Sequence, residues 1–593
     1  MARVTSADAS PDAFLTAVSV LDSLIRSGMR HVVVAPGSRS APLTYALAAA
    51  DEAGVLDVHV RIDERSAAFT ALGMAASSGS PVGVVTTSGT AVGELMPAVM
   101  EANHSEVPLA VISADRPPRL RGTGANQTTW QADLYGVHVR AAADLTAYPE
   151  DVAGQQTAAF TECLAALTGR DPRDWGSAAA RPIGPVQINV SFDDPLTPDP
   201  RMRQTLRAWA DTLRDLEVAP APKIVDRSAA VALEPAGAGA PATRAVVVAG
   251  DGAGLIARRF AEATGAPLLA EPSSGARAGS HAIGAYQLIL GGGLAREIET
   301  VILFGRPTLS RPVQQLLARP DVASVLYLPR PIAWANPDRR SERVVTSLRE
   351  ARDVVGRCEP SWLQRWREAD AAVSAGLGRV IAGDEETHGV PSGPGVARTV
   401  AEASGQDGVT LVAGSSNLIR DLDIAPAPKP GDGEYEVLAN RGLAGIDGTI
   451  ATASGVSLAR GKPVRALVGD LTFLHDAGSL LIGPTERMPN LQIVVFNDTG
   501  GGIFSTLEHG HVARDDDWAD PVERFFGTPH AVTIESLVTA HGHDFRRVRD
   551  LGELREALGE PIRGIGVIEV LGTRDGLSED RERWKDLARE AGA

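Results

Sequence analysis

VRALVGDLTFLHDAGSLL (464–481) and LQIVVFNDTGGGIF (491–504) are two apolar, β-branched runs separated by about one helical crossover. Neither alternates between apolar and polar residues, so each reads as a strand buried on both faces, as in a parallel sheet covered by helices. The first strand closes on Gly469-Asp470 and the second on Asn497-Asp498-Thr499-Gly500. Ligand loops of open α/β sheets lie at the carboxyl ends of strands, so this pairing gathers carboxylates and glycines at one edge. Magnesium needs compact octahedral oxygen coordination and takes one or two protein oxygens together with phosphate oxygens. Asp470, the side chain of Asn497 or Asp498, and a backbone carbonyl near Gly500 offer that set. The helix expected to begin near Leu471 adds unpaired N–H groups and a positive dipole end for a diphosphate. Asp470 alone would read as a helix cap; the second strand end and the triple glycine turn the pair into a metal candidate.

Outward from this stretch the chain keeps the same grammar. HVVVAPG, VHVRIDE, VGVVTTSG, PLAVISADRP and GPVQINVSF read as strand ends of a first α/β unit, and RAVVVAGDGAGLIARRFAEATG opens a second. VTLVAGSS, VRALVGD and LQIVVFND belong to a third, after the polar stretch GDEETHGVPSGPG. The Pro-, Ala- and Gly-rich segment 216–243 reads as a linker. The expected division is 1–215, 216–385 and 386–593: an α/β protein of three doubly wound, mainly parallel-sheet domains, the first and third related. A chain of 593 residues is too long for one core. With 44% hydrophobic and 22% charged residues it has the balance of a folded protein. The net charge of −17 argues against nucleic acid or an anionic membrane as partner. Cys163 and Cys358 are the only cysteines and have no metal-ligand spacing, so both read as inert thiols. No secretory leader or spanning segment is legible, so a cytoplasmic protein without stable membrane insertion is expected. GDGAG (250–254) reads either as a dinucleotide-binding turn or as a tight strand-to-helix connection.

The Asp470 and Asn497-Asp498 constellation resembles the diphosphate motif of the thiamine-diphosphate enzyme superfamily, which runs from a GDG turn to an NN pair. This chain departs with GDL for GDG and ND for NN. The resemblance implies thiamine diphosphate with Mg²⁺ (Mn²⁺ an alternative). It points to Asp498 as side-chain metal ligand beside Asp470 and Gly500, while counting leaves Asn497 open. Such an enzyme also needs an acid for the aminopyrimidine, and RIDERSAAFTALGMAA (61–76) supplies Glu64. That carboxyl would share a proton with the ring nitrogen, as a general acid–base catalyst works best when partly desolvated. Alone it reads equally as a first-turn glutamate complementing the helix dipole. TTSGTAVGELMPAVMEA (86–102), containing Gly89, resembles the pyrimidine-binding domain. The domain order is then pyrimidine, central, diphosphate. In relatives the acid and the metal cradle meet across a subunit interface, implying a homodimer or a homotetramer built as a dimer of dimers.

APGSRSAPL (35–43), ISADRPPRLRGTGANQT (112–128), GSSNLIRDLD (414–423), ANRGLAGIDGT (439–449) and GGGIFSTL (500–507) resemble more narrowly the SEPHCHC synthases. That family decarboxylates 2-oxoglutarate and adds the resulting carbanion to isochorismate by 1,4-addition, in menaquinone biosynthesis. The two substrates bring four carboxylates, which suits arginine, permanently charged and bidentate. The resemblance carries over Ser38, Arg39, Arg116, Asn126, Gln127, Ser416, Arg420 and Arg441 as substrate contacts, with Arg311 from GRPTLSRPVQQLL (305–317). Ser310 stands where some relatives have lysine. Gly89, Ser416, Gly469, Asp470, Leu471, Asp498 and Gly501 carry over as cofactor contacts. Ile446 is the implied wedge under the cofactor, with Ile503, Phe504 and Leu507 lining the pocket.

The bland counterpart is that the arginines form surface ion pairs. An acetolactate synthase-like or other 2-oxo-acid enzyme of the superfamily would not require them, and a non-catalytic binding protein retaining the fold would need neither Glu64 nor Asp470. His104, His138 and His475 read as satisfied structural histidines. EHGHVARDDDWAD (508–520) is either a lid or an ordinary solvated loop.

Overall fold

Three parallel sheets carry the chain in a computed structural model that describes residues 13–146, 150–171, 174–178, 182–216, 242–332, 342–424 and 435–590. In the first, six strands lie in the spatial order Asp57–Val60, His31–Val34, Val82–Thr86, Leu109–Asp115, Val186–Ser191 and Ala141–Leu145. The second holds five: Leu268–Ala270, Ala245–Ala249, Thr300–Phe304, Ala323–Tyr327 and Arg343–Val345. The third runs Val437–Leu438, Thr410–Ala413, Val464–Gly469, Leu491–Asn497, Ile565–Leu571 and Asp544–Val548. Numbered by their sequence order, the strands of the first and third sheets both read 2-1-3-4-6-5. The two outer units therefore share one winding.

The two strands that decided the reading pair in parallel from Val464 opposite Leu491 to Gly469 opposite Phe496, which sets Asp470 beside Asn497 and Asp498. Between them lie a short helix, Asp470–His475, and a 3₁₀ turn, Ala477–Leu480. That helix starts at Asp470 itself, one residue earlier than expected.

The outer units meet through two helices that are apolar nearly all round, Glu64–Ser78 and Thr449–Arg460, the pattern of a helix buried on every side. Gly73 faces the Thr452 carbonyl and Gly455 the Thr70 carbonyl, each so closely that a β-carbon would overlap the oxygen. Asp63 caps the first helix by accepting from the Arg65 and Ser66 N–H groups, worth about 1 kcal/mol.

The helix Pro360–His388 runs through residue 385, where the sequence suggested a boundary. GDEETHGVPSGPG closes this helix at Gly389 and opens the next at Gly393. Most of the expected linker, 217–241, lies outside the described residues. GDGAG is a tight connection: Asp251 and Arg306 exchange backbone hydrogen bonds at 3.1 and 2.9 Å, so the 305–307 loop packs against the turn. Cys163 and Cys358 are buried and unbridged. Among the described residues no helix is long and apolar enough to cross a membrane.

Candidate active site

Asp470 and Asp498 are both buried at the carboxyl ends of neighbouring strands. Asp470 accepts from its own Leu471 N–H at 2.6 Å, from Gly500 N–H at 2.8 Å, and lies 3.0 Å from His530 Nε2. No other described residue is hydrogen-bonded to the Asp498 carboxylate. Burial first, and the Asp470 charge second, push its carboxyl up to about 7. Asn497 is committed elsewhere: its Nδ2 donates to Glu569 at 2.7 Å and its Oδ1 accepts from Thr499 N–H at 3.1 Å. The turn runs through Thr499 and Gly500, both at positive φ (60° and 151°), and a β-carbon at Gly500 would collide with the Gly527 carbonyl. The donor set fits a divalent cation, because two buried carboxylates, one of them raised by the charge of the other, are relieved by a shared positive charge. Among the described residues no three His, Cys, Asp or Glu side chains form a metal cluster. Magnesium does not need one, since it completes its shell with phosphate, backbone and water oxygens.

Four of the five arginines singled out have no carboxylate partner among the described residues. Arg39 bonds the Phe192 carbonyl at 2.9 Å, and Arg420 bonds the Ser416 carbonyl at 2.5 Å. Buried Arg441 reaches Thr308 Oγ1 at 3.1 Å. Arg39 and Arg420 are each lowered by burial first, then by a second arginine, Arg116 and Arg441 respectively. Two pairs of mutually repelling cations therefore sit near strand ends, one pair in each outer unit, three of the four in loops and Arg420 on the helix Asn417–Ile424. Ion pairs do occupy Arg119 and Arg121 of the same motif, with Asp193 and with Asp115 and Asp144. Arg311 is the exception: it is exposed and paired with Glu508 at 2.8 Å, as the bland reading supposed.

Ser38, next to Arg39 in the chain, and Asn126 and Gln127 are exposed on the first unit. Gln127 Nε2 donates to the Ser88 carbonyl at 2.8 Å, next to Gly89. Ser416 sits at positive φ (87°), a strained position of the kind that collects at ligand sites. Ile446, Ile503 and Leu507 are half-buried. Phe504 packs on Phe526 and His509, with centroids 5.5 and 6.0 Å apart.

Glu64 opens its helix half-buried, and no described residue is hydrogen-bonded to its carboxylate. Its neighbours reach the crossover that follows Asp470. Arg65 donates to the His475 carbonyl at 2.9 Å, and Ser66 Oγ lies 2.8 Å from Ser479 Oγ. Ile62, two residues before Glu64, and Leu481, two after Ser479, stand exposed at 64% and 48%.

Residues 16–135 match the N-terminal TPP binding domain of thiamine pyrophosphate enzymes, and 431–570 match the C-terminal TPP binding domain. The chain is 49% identical over 569 residues to a 2-succinyl-5-enolpyruvyl-6-hydroxy-3-cyclohexene-1-carboxylate (SEPHCHC) synthase of Paenarthrobacter aurescens (strain TC1), covering 95% of each chain. It is 48% identical to the synthase of Arthrobacter sp. (strain FB24), covering 99% of this chain and 94% of that one. The chain belongs to the SEPHCHC synthase family. The fold extends further: benzoylformate decarboxylase from Polynucleobacter necessarius superposes with a TM-score of 0.59 at 17% identity, covering 95% of this chain and 99% of that one.

Within this SEPHCHC synthase family member some expectations are corrected. Of the three histidines, His475 faces Arg65 at 3.1 Å, whereas His104 and His138 each bury an Nδ1 that has no hydrogen-bond partner among the described residues. Segment 508–520 is mostly helical rather than a loop: Glu508–Val512 is one short helix and Asp516–Val522 another, tethered through Glu508 to Arg311. Ser310 is buried, and its Oγ neither caps the helix Arg311–Leu317 nor finds another partner among the described residues. Sequence reasoning missed His530 and Arg574, which approach Asp470 and the Asp498 carbonyl from segments without a recognisable motif.

Proposed function

We propose that this chain is a SEPHCHC synthase: it decarboxylates 2-oxoglutarate and adds the four-carbon fragment to isochorismate, using thiamine diphosphate and Mg²⁺. The observation that carries this is the coexistence of a buried carboxylate pair with two arginine pairs that lack carboxylate partners. A metal cradle alone would serve any enzyme of the superfamily; free cations in its loops call for a polyanionic substrate.

Asp470 and Asp498 would hold the metal together with a Gly500 oxygen, and the Gly469–Leu471 turn would meet the diphosphate. The commitment of Asn497 to Glu569 argues for Asp498 as the second side-chain ligand. Ile446, Ile503, Phe504, Leu507, Gly89 and Gly501 would enclose the cofactor. Thiamine diphosphate supplies the electron sink that a 2-oxo acid needs in order to lose CO₂. The chain's own share is a proton and a set of charges. Glu64 exchanges a proton with the aminopyrimidine nitrogen, and its lack of an internal partner leaves it available for that. Arg39 with Arg116, and Arg420 with Arg441, orient substrate carboxylates, helped by Ser38, Asn126, Gln127 and Ser416. Arg311 would join them by releasing Glu508.

The Glu64 that completes each site comes from a second copy, for which the exposed Ile62 and Leu481 provide an apolar seat. A homodimer, or a tetramer of two such dimers, follows. The units divide near residue 215 and, since one helix spans residue 385, at about His388. A cytoplasmic location agrees with this chemistry. Incubation with thiamine diphosphate, Mg²⁺, 2-oxoglutarate and isochorismate should yield the adduct by mass spectrometry. Turnover of pyruvate alone would favour the acetolactate synthase-like reading, and absence of metal-dependent cofactor binding a non-catalytic protein.

A further inference from the structure

The loop that carries both Arg441 and Ile446 is held by a residue of the opposite outer unit. Glu101, on the helix Met96–Ser105, is buried and accepts from the Gly442 N–H at 2.6 Å and the Leu443 N–H at 2.7 Å. Ser105 Oγ donates to the same carboxylate at 2.8 Å. From the central unit, Arg306 donates to the Gly442 carbonyl. A β-carbon at Gly442 would clash with the Glu101 carbonyl and carboxylate, so this residue and its partner are fitted to each other. A short helix, Thr90–Gly93, separates the Gly89 turn from helix Met96–Ser105, so one stretch of chain links the Gly89 turn to the residue that holds the Arg441 loop.

We propose that Glu101 is a positioning residue for the reaction: it fixes the Arg441–Ile446 loop so that the arginine meets a substrate carboxylate while the isoleucine supports the cofactor. This rests on the functional reading above. A charged acceptor gives short, strong bonds to paired N–H groups, and a loop tethered this way loses the freedom that would otherwise blur its geometry. Glu101 touches neither Arg441 nor Ile446 by any hydrogen bond, so it acts only through the backbone between them.

Glu101→Ala and Glu101→Gln should be compared with wild type in the full-length enzyme. Glu101→Ala should raise KM for 2-oxoglutarate or isochorismate by about tenfold or more, the scale of losing buried acceptors, and change the circular dichroism of bound thiamine diphosphate. Glu101→Gln keeps one carbonyl acceptor and should fall between. A merely structural role would lower kcat in proportion to the fraction of sites that bind cofactor, with both KM values unchanged, and that result overturns the proposal. Should Glu101→Ala fail to fold, Glu101→Gln decides alone: wild-type KM values and an unaltered cofactor signal refute it. Wild-type protein without synthase activity refutes instead the functional reading beneath it.

Discussion

Asp498 and Asn497 adjoin in sequence, and only their side-chain partners tell them apart. Asp498→Ala should weaken Mg²⁺-dependent binding of thiamine diphosphate at least about tenfold, since disturbing even a ligand's supporting partner does as much. Asn497→Ala should instead lower stability by about 1–3 kcal/mol by orphaning a buried hydrogen-bond partner, with metal dependence retained. Calorimetric titration and thermal unfolding of both variants would reverse the assignment if the two patterns were exchanged. Glu271 offers a test away from the metal. It is buried, accepts from the Leu309 N–H at 2.9 Å, and its carboxyl is pushed up to about 8 by burial first and by Asp423 second. A carboxyl that keeps its proton in the fold but loses it near pH 4 when unfolded stabilises the fold fully only below about pH 4, and that contribution drains away as pH rises to about 8. Glu271→Gln keeps the carbonyl acceptor without the ionisation, so its gain in Tm over wild type should grow from about pH 5 to about pH 8. An equal gain at both would exclude a buried, protonated Glu271.

At the scale of elements, the crossing of Glu64–Ser78 with Thr449–Arg460 aligns the acid's helix with the helix that follows Ile446. Gly73 and Gly455 each face backbone carbonyls that cannot rotate away. Gly455→Ala should therefore part the helices at a cost of about 1–3 kcal/mol, the range for overpacking. Gly383→Ala, in a helix where a β-carbon meets open space, should be neutral or stabilising by up to about 1 kcal/mol. Scanning calorimetry of the two variants checks the contrast, and equal Tm values would show that the close crossing is not required. The sequence did not mark the contact between the two crossing helices, because interhelical distance is decided by two carbonyls more than 370 residues from their glycine partners along the chain. The 508–520 segment was undecided for a related reason: its acidic, aromatic-poor composition suits a solvated loop, whereas Arg311 from the central unit and Phe526 beside His509 give its helices something to rest on.

At the scale of the whole molecule, the shared strand order of the outer units gives two similar surfaces between which the proposed function places one cofactor. If the acid comes from one copy and the metal cradle from another, two inactive variants should complement. Glu64→Gln alone should slow turnover by at least about 10²-fold, and Asp470→Ala should abolish cofactor retention. After subunit exchange in an equimolar mixture, half the dimers pair one of each and hold one intact site of two, so about a quarter of wild-type activity should return for a symmetric dimer. Continued inactivity of a mixture shown to have exchanged subunits would place Glu64 and Asp470 of one chain in the same site.

Periodicity and strand-end motifs by themselves determined the three-unit α/β architecture and singled out the Asp470 turn and the motif arginines as candidates, because these depend on local pattern and on residue chemistry at sequence-adjacent positions. Arg465 shows the limit. It lies in the stretch that decided the fold, yet is fully buried and bonded to Gln492, Ser404, Asp407 and the Leu558 carbonyl. Only the tertiary structure decided which polar groups are buried together: Asn497 with Glu569, Glu101 with Gly442, and the four cations without carboxylates. Those pairings are set by long-range packing, which brings together atoms whose separation along the chain carries no signal.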